Sequence, residues 1–221
     1  MKPPKESIEY LDFLEKEVIA ILIHNKMFKE VTEIIQKNPA INKKNSFFDW
    51  MVSAYVSDIT IRIRRLVDED AKVKSFVNFL NDLQINSIVR SRAYHLDFYK
   101  ENFVLEEIGN RTFDGLAGIG ASEYGVELIQ KDIDDLKNEC LKIVIFTHNY
   151  IAHTNAKIID RGGSSNVTNP TFADLDNAMK HIDKLLIKYF LLVKAVGKEP
   201  SLMPHWQYNW QSIFEVPWIQ K

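Results

Sequence analysis

The sequence predicts an all-α protein, a single helical bundle of roughly five to seven helices. Three observations carry that expectation. Apolar residues recur at intervals of three and four over long stretches, and no alternating strand series interrupts them. Only eight glycines and seven prolines occur, and they cluster between the periodic segments. No self-similarity of solenoid length is visible, so the helices pack around one core rather than stacking as repeats.

The first periodic segment runs from about Ser7 to Lys37. Ile8, Leu11, Leu14, Val18, Ile21, Leu22 and Val31 recur along it at helical spacing. Pro3 and Pro4 precede it, and Asn38-Pro39 closes it. Ser46-Phe47-Phe48-Asp49 then reads as a helix start, a capping box with Asp in place of Glu. The helix that follows carries Trp50, Ala54, Ile61 and Leu66 and ends in ITIRIRRLVDED. Along that end Asp58 and Arg62, Arg64 and Asp68, and Arg65 and Glu69 each stand four apart and can pair. Phe76 to Leu83 reads as a short helix and Ile88 to Phe103 as another.

Asn110 to Ser122, NRTFDGLAGIGAS, reads as a flexible loop. Its Gly115, Gly118 and Gly120 lack the G-x-G-x-x-G spacing and follow no buried strand, which argues against a phosphate cradle. From about Val126 to Ala156 the period is strong, with Ile129, Ile133, Leu136, Cys140, Ile143, Thr147 and Ile151 on one stripe. Arg161 to Pro170 is a loop. Thr171 to Asp174 opens the last long helix, whose inner face is Leu175, Met179, Ile182, Leu186, Tyr189 and Val193, and Gly197 and Pro200 end it. Residues 1–200 are therefore expected to form the bundle. Residues 201–221 form an aromatic-rich tail, with Trp206, Trp210 and Trp218, that packs on the bundle or on a partner.

Composition narrows the function classes. Hydrophobic residues make up 46% and charged residues 26%, ordinary for a globular chain. A net charge of -2 gives no global basic field, so any nucleic-acid contact has to be local. The one cysteine, Cys140, fits a reducing compartment, and the N-terminus MKPPKESIEY lacks a signal-peptide core. No apolar run reaches membrane length. A cytoplasmic protein with no membrane partner and no cofactor is expected.

The chemistry-bearing stretch is FTHNYIAHTNAK, Phe146 to Lys157. On an α-helix Asn149 and His153 share a face, whereas His148 and His153, five apart, splay by about 140°. That splay argues against a zinc pair, which needs a four-residue step, so no metal is assigned. A histidine near neutrality can move a proton, and a neighbouring amide can hold a phosphate oxygen. The alternative is a polar helix end, where a histidine satisfies free carbonyls. Arg62, Arg64 and Arg65 carry two readings as well: an RNA-backbone contact, assigned to Arg62 and Arg65, or pairing with Asp58, Asp68 and Glu69. Arg90, Arg92 and Lys100 could extend a basic patch. His24, His95, His181 and His205 read as surface or half-buried.

HNYIAH, with a long acidic helix before it and a final bundle helix after it, resembles the signature of the HEPN superfamily. That signature is an arginine, four to six residues, then a histidine, with a polar residue after the arginine. Asn149 and His153 match, and His148 stands where the arginine belongs. The wider layout over about Phe47 to Val196, including an arginine-rich RxRRLxD end, resembles the abortive-infection U-type branch. The resemblance implies a helical homodimer joined through the signature helices, with RNA as substrate or ligand. It also implies a place in toxin or anti-phage systems, where an antitoxin or other partner protein is expected. Two functions follow from it: a metal-independent endoribonuclease using His153, Asn149 and His148, or a non-catalytic module that binds RNA, nucleotide or protein.

Overall fold

The computed structural model describes residues 4–43, 46–100, 103–152, 169–199 and 209–214. Four long helices make a ring: α1 (Pro4–Lys37), α2 (Ser46–Leu66), α7 (Val126–Phe146) and α8 (Phe172–Lys194). Each packs on the next in that order, and α8 closes back onto α1. Cross-links between them run antiparallel throughout. Lys29 meets Asp176 while Lys194 meets Asp12, which opposes α1 and α8. Lys142 meets Asp174 while Lys188 meets Asp132, which opposes α7 and α8. The C-terminal ends of α1 and α7 therefore lie at the same end of the bundle as the N-terminal ends of α2 and α8.

Shorter helices fill the α2–α7 connection: α3 (Phe76–Ile85), α4 (Ser87–Arg90), α5 (Arg92–Asp97) and α6 (Phe103–Ala117). The expected single helix over Ile88–Phe103 is thus divided. Ser91 leaves helical geometry and its side chain caps the Tyr94 N–H, and Asn86 does the same for Val89. The expected loop over 110–122 is a correction too, because α6 runs to Ala117. Only the turn after it is irregular, at Gly118 (φ 97°) and Gly120 (φ 74°), where a side chain would be strained.

The core combines Leu11, Leu14, Val18, Ile59, Ile63, Ile133, Leu136, Leu186 and Tyr189 with Phe76 and Phe79 of α3. On α8 all six expected inner-face residues are buried, and the Thr171–Asp174 capping box forms. That helix ends earlier than expected: Ala195, not Gly197, adopts the left-handed conformation (φ 52°) after Lys194. On α2 only Leu66 of the four expected apolar positions is buried. Tyr55, Ile59 and Ile63 face inward, and Trp50 (63% exposed), Ala54 and Ile61 face out.

One buried and one half-buried guanidinium brace the α4–α7 region. Arg90 donates to the Tyr124 carbonyl at 2.7 Å and pairs with Glu123 at 3.3 Å. Arg92 is bonded to Asp114, Asn110 and the Ala121 carbonyl. These guanidiniums serve the fold, so they add nothing to a basic surface patch. His95, expected at the surface or half-buried, is fully buried against the rings of Tyr99 and Phe113.

Candidate functional site at the end of α7

The apolar stripe of α7 forms as expected: Ile129, Ile133, Leu136, Cys140 and Ile143 are all buried. Burial pushes the Cys140 thiol up to about 12, so it is a core residue and not a nucleophile. At Phe146 the α-geometry stops. Thr147–Ala152 forms a π-helical turn, in which the backbone bonds at a five-residue interval. Thr147 sits at the junction. It is buried, its hydroxyl donates to the Ile143 carbonyl at 2.7 Å, and its N–H reaches the Ile143 and Val144 carbonyls. Thr60 and Thr112 bond back four residues in the same way inside regular α-helix, so this bond marks the junction without accounting for the change of helix type.

The wide turn packs against α2 as well as α7. It leaves His148 exposed, Asn149 half-buried and Tyr150 exposed (42%). Tyr150 lies over Phe146, with ring centroids 5.3 Å apart. His153 lies outside the described residues, as does His205. The expected 140° splay between His148 and His153 assumed α-geometry, and the chain departs from that geometry over Thr147–Ala152.

One turn before the wide turn, Lys142 holds Asp174 at 2.9 Å. The Thr171 N–H and hydroxyl each donate to the other oxygen of that carboxylate at 2.8 Å. The Thr171 N–H, then Lys142 and the Thr171 hydroxyl, bring the Asp174 carboxyl down to about 2. The first turn of α8 is thereby clamped to α7 beside the candidate site. Sequence reading found the cap and missed the clamp, because Lys142 and Asp174 share no spacing along the chain.

The arginines behave differently from one another. Arg62 donates to Asp58 at 2.8 Å, and Asp58 also meets His24 of α1 at 2.6 Å. Burial raises the Asp58 carboxyl, but the hydrogen bonds from His24 and Arg62 outweigh it and leave it below its ordinary value. Arg62 is thus half-buried in an α1–α2 cross-link. Arg65 stands exposed, and its expected partner Glu69 instead meets Lys137 of α7 at 2.9 Å. Among the described residues no three His, Cys, Asp or Glu side chains converge as metal ligands, and no helix is long and apolar enough to cross a membrane.

The family model described as HEPN_AbiU2 (AbiU2) matches residues 4–208, from the start of α1 to beyond α8. No curated protein and no solved structure matches the chain. The family match and the strand-free ring of helices around the α7 terminus agree, and the chain belongs to the HEPN superfamily, in its abortive-infection U-type branch.

Proposed function

We propose that the protein acts on RNA at the C-terminal end of α7, as a metal-independent endoribonuclease with His153 as its proton-transfer residue. The observation that carries the reading is the wide turn. It presents exposed His148 and half-buried Asn149 side by side at the bundle end. In this reading His153 takes the proton of an RNA 2′-hydroxyl. The oxygen attacks the adjacent phosphorus, the P–O5′ bond breaks as O5′ takes a proton from water, and a 2′,3′-cyclic phosphate and a 5′-hydroxyl remain. Asn149 orients the phosphate by hydrogen bonding, and His148 supplies part of the charge that an arginine would bring. Arg65 is exposed but stands at the C-terminal end of α2, toward the other end of the bundle, so an RNA-backbone contact through it lies away from the wide turn, while Arg62 is committed to Asp58. The active form is a homodimer joined through α7, where Leu141 (52% exposed) and Tyr150 offer apolar surface.

RNA cleavage in EDTA tests this, with His153→Ala and Asn149→Ala beside the parent chain. The parent cleaves and His153→Ala does not, at unchanged helical circular dichroism. Cleavage by His153→Ala at the parent rate removes the assignment.

A second reading is favoured by one observation. Arg62, Arg90 and Arg92 are all drawn into intramolecular pairs, and His148 replaces the signature arginine. With so little fixed positive charge, the site would bind RNA or a partner without cutting it. A folded dimer that retains RNA on a filter but leaves it intact selects this reading.

A further inference from the structure

Lys142 is the last lysine or arginine of α7 before the wide turn, about 6 Å along the axis from Phe146, where the α-geometry stops. Phe146, four positions on, follows it on one face of the helix. Exposed Tyr150 of the wide turn lies over Phe146, with ring centroids 5.3 Å apart. A line therefore runs along α7 from the Lys142 ammonium to the turn that bears His148 and Asn149.

The Lys142 side chain is 57% exposed and pairs with Asp174 Oδ1 at 2.9 Å. Two features make that pair easy to open. An ion pair this exposed adds little to stability, because water and salt screen it. The carboxylate also keeps its place without the lysine. Its other oxygen accepts from the Thr171 N–H and hydroxyl at 2.8 Å each, and the capping box at the start of α8 is thereby closed from within that turn.

The wide turn itself offers little fixed charge. A histidine at 148 carries no permanent positive charge, whereas a phosphodiester strand is gripped chiefly by lysine and arginine. Arg62, Arg90 and Arg92 are engaged by Asp58, Glu123 and Asp114. Lys142 is the fixed cation that α7 carries beside the turn, and its partner can release it.

We propose that Lys142 is a substrate-binding residue: it leaves Asp174 to hold a backbone phosphate of an RNA strand, next along the strand from the phosphate at the wide turn. The inference rests on the RNA reading of that turn. Without RNA, Asp174 keeps the ammonium in place at the bundle end. With RNA, the same carboxylate competes for it. Removing the lysine and removing the carboxylate therefore have opposite effects on RNA affinity, which a purely structural cross-link between α7 and α8 would not produce.

Fluorescence anisotropy with a short labelled 2′-O-methyl RNA, which its own 2′-oxygen cannot cleave, tests this over a range of salt concentrations. Lys142→Gln should weaken binding at least about three-fold at about 0.1 M salt. It should also make the slope of log K against log salt shallower by about 0.7, the value for one phosphate contact to a single strand. Asp174→Asn removes the competing charge, keeps a side-chain acceptor for the cap and should tighten binding. Lys142→Arg should keep the parent slope. Circular dichroism and denaturant midpoints confirm the fold of each variant. A slope unchanged by Lys142→Gln, in a parent that binds RNA, overturns the proposal and leaves the RNA reading standing. Equal weakening by Lys142→Gln and Asp174→Asn overturns it too, since the pair is then only a clamp. A folded parent that binds no RNA removes the RNA reading itself, and this inference with it.

Discussion

The hydroxyl of Tyr189 donates to Asp132 Oδ2 at 2.7 Å, which ties α8 to α7 inside the bundle. Lys188 reaches the same oxygen at 2.7 Å, and the Tyr124 hydroxyl lies 3.4 Å from it. Burial, before any neighbouring charge, raises both tyrosines well above their ordinary range, so they remain neutral donors. Asp132→Ala leaves these donors without an acceptor and should cost about 3 kcal/mol of stability. Asp132→Asn keeps an acceptor and should cost roughly half as much. Denaturant midpoints at constant slope check both.

Acid should loosen the fold through His95. Burial lowers its proton affinity first, and the charge of Arg92 adds to that, against a raising hydrogen bond to the Leu192 carbonyl. The folded state therefore holds His95 neutral below the ordinary value of 6.5. The unfolded chain binds the extra proton there, so stability is present above that pH and falls as pH drops beneath it, by at most about 1.4 kcal/mol per pH unit from this one group. His95→Leu should flatten the slope between pH 6.5 and pH 5 in urea melts, whatever it does to stability at pH 8. An unchanged slope would remove His95 as the cause.

Cys140 should be silent in the native protein. It is fully buried on the α7 stripe and its thiol is pushed up to about 12 by burial. A thiol reagent such as Ellman's should react with no thiol in buffer and with one per chain in denaturant. Reaction in buffer at the denatured rate would mean that α7 opens locally.

Replacing Ala195 should stabilise the protein. It holds φ 52° at the end of α8, a conformation that costs a non-glycine residue energy. Ala195→Gly relieves that strain and should raise stability by about 1 kcal/mol, read as a higher denaturant midpoint.

The long helices were legible because each carries a buried stripe with the helical period, and α7 and α8 have one such stripe apiece. Helix α2 misled because it has two apolar faces. Phe47, Trp50, Ala54 and Ile61 look as core-like in sequence as Tyr55, Ile59 and Ile63, and only packing against α1 and α7 decides between them. Glycine misled in α6, where Gly115 lies within the helix and a Cβ there would meet nothing within 4 Å, while only Gly118 and Gly120 take the left-handed conformation of the turn. At the candidate site the residue types were legible and the backbone was not. Nothing in THNYIA announces a five-residue bonding interval, since the same threonine back-bond occurs at Thr60 and Thr112 in regular α-helix. The exhausted arginines were equally hidden, because Glu123 and Asp114 find Arg90 and Arg92 across 33 and 22 positions of sequence (123 less 90, 114 less 92).

The wide turn can also be regarded as a dislocation in an otherwise periodic ladder. Shifting such a defect by one residue exchanges one bonding interval for another and keeps the count of backbone bonds, while the side chain it passes swings by about 100°. The aim of His148 is thus set by where the defect rests along the helix. Thr147, bonded to Ile143, marks its upstream boundary.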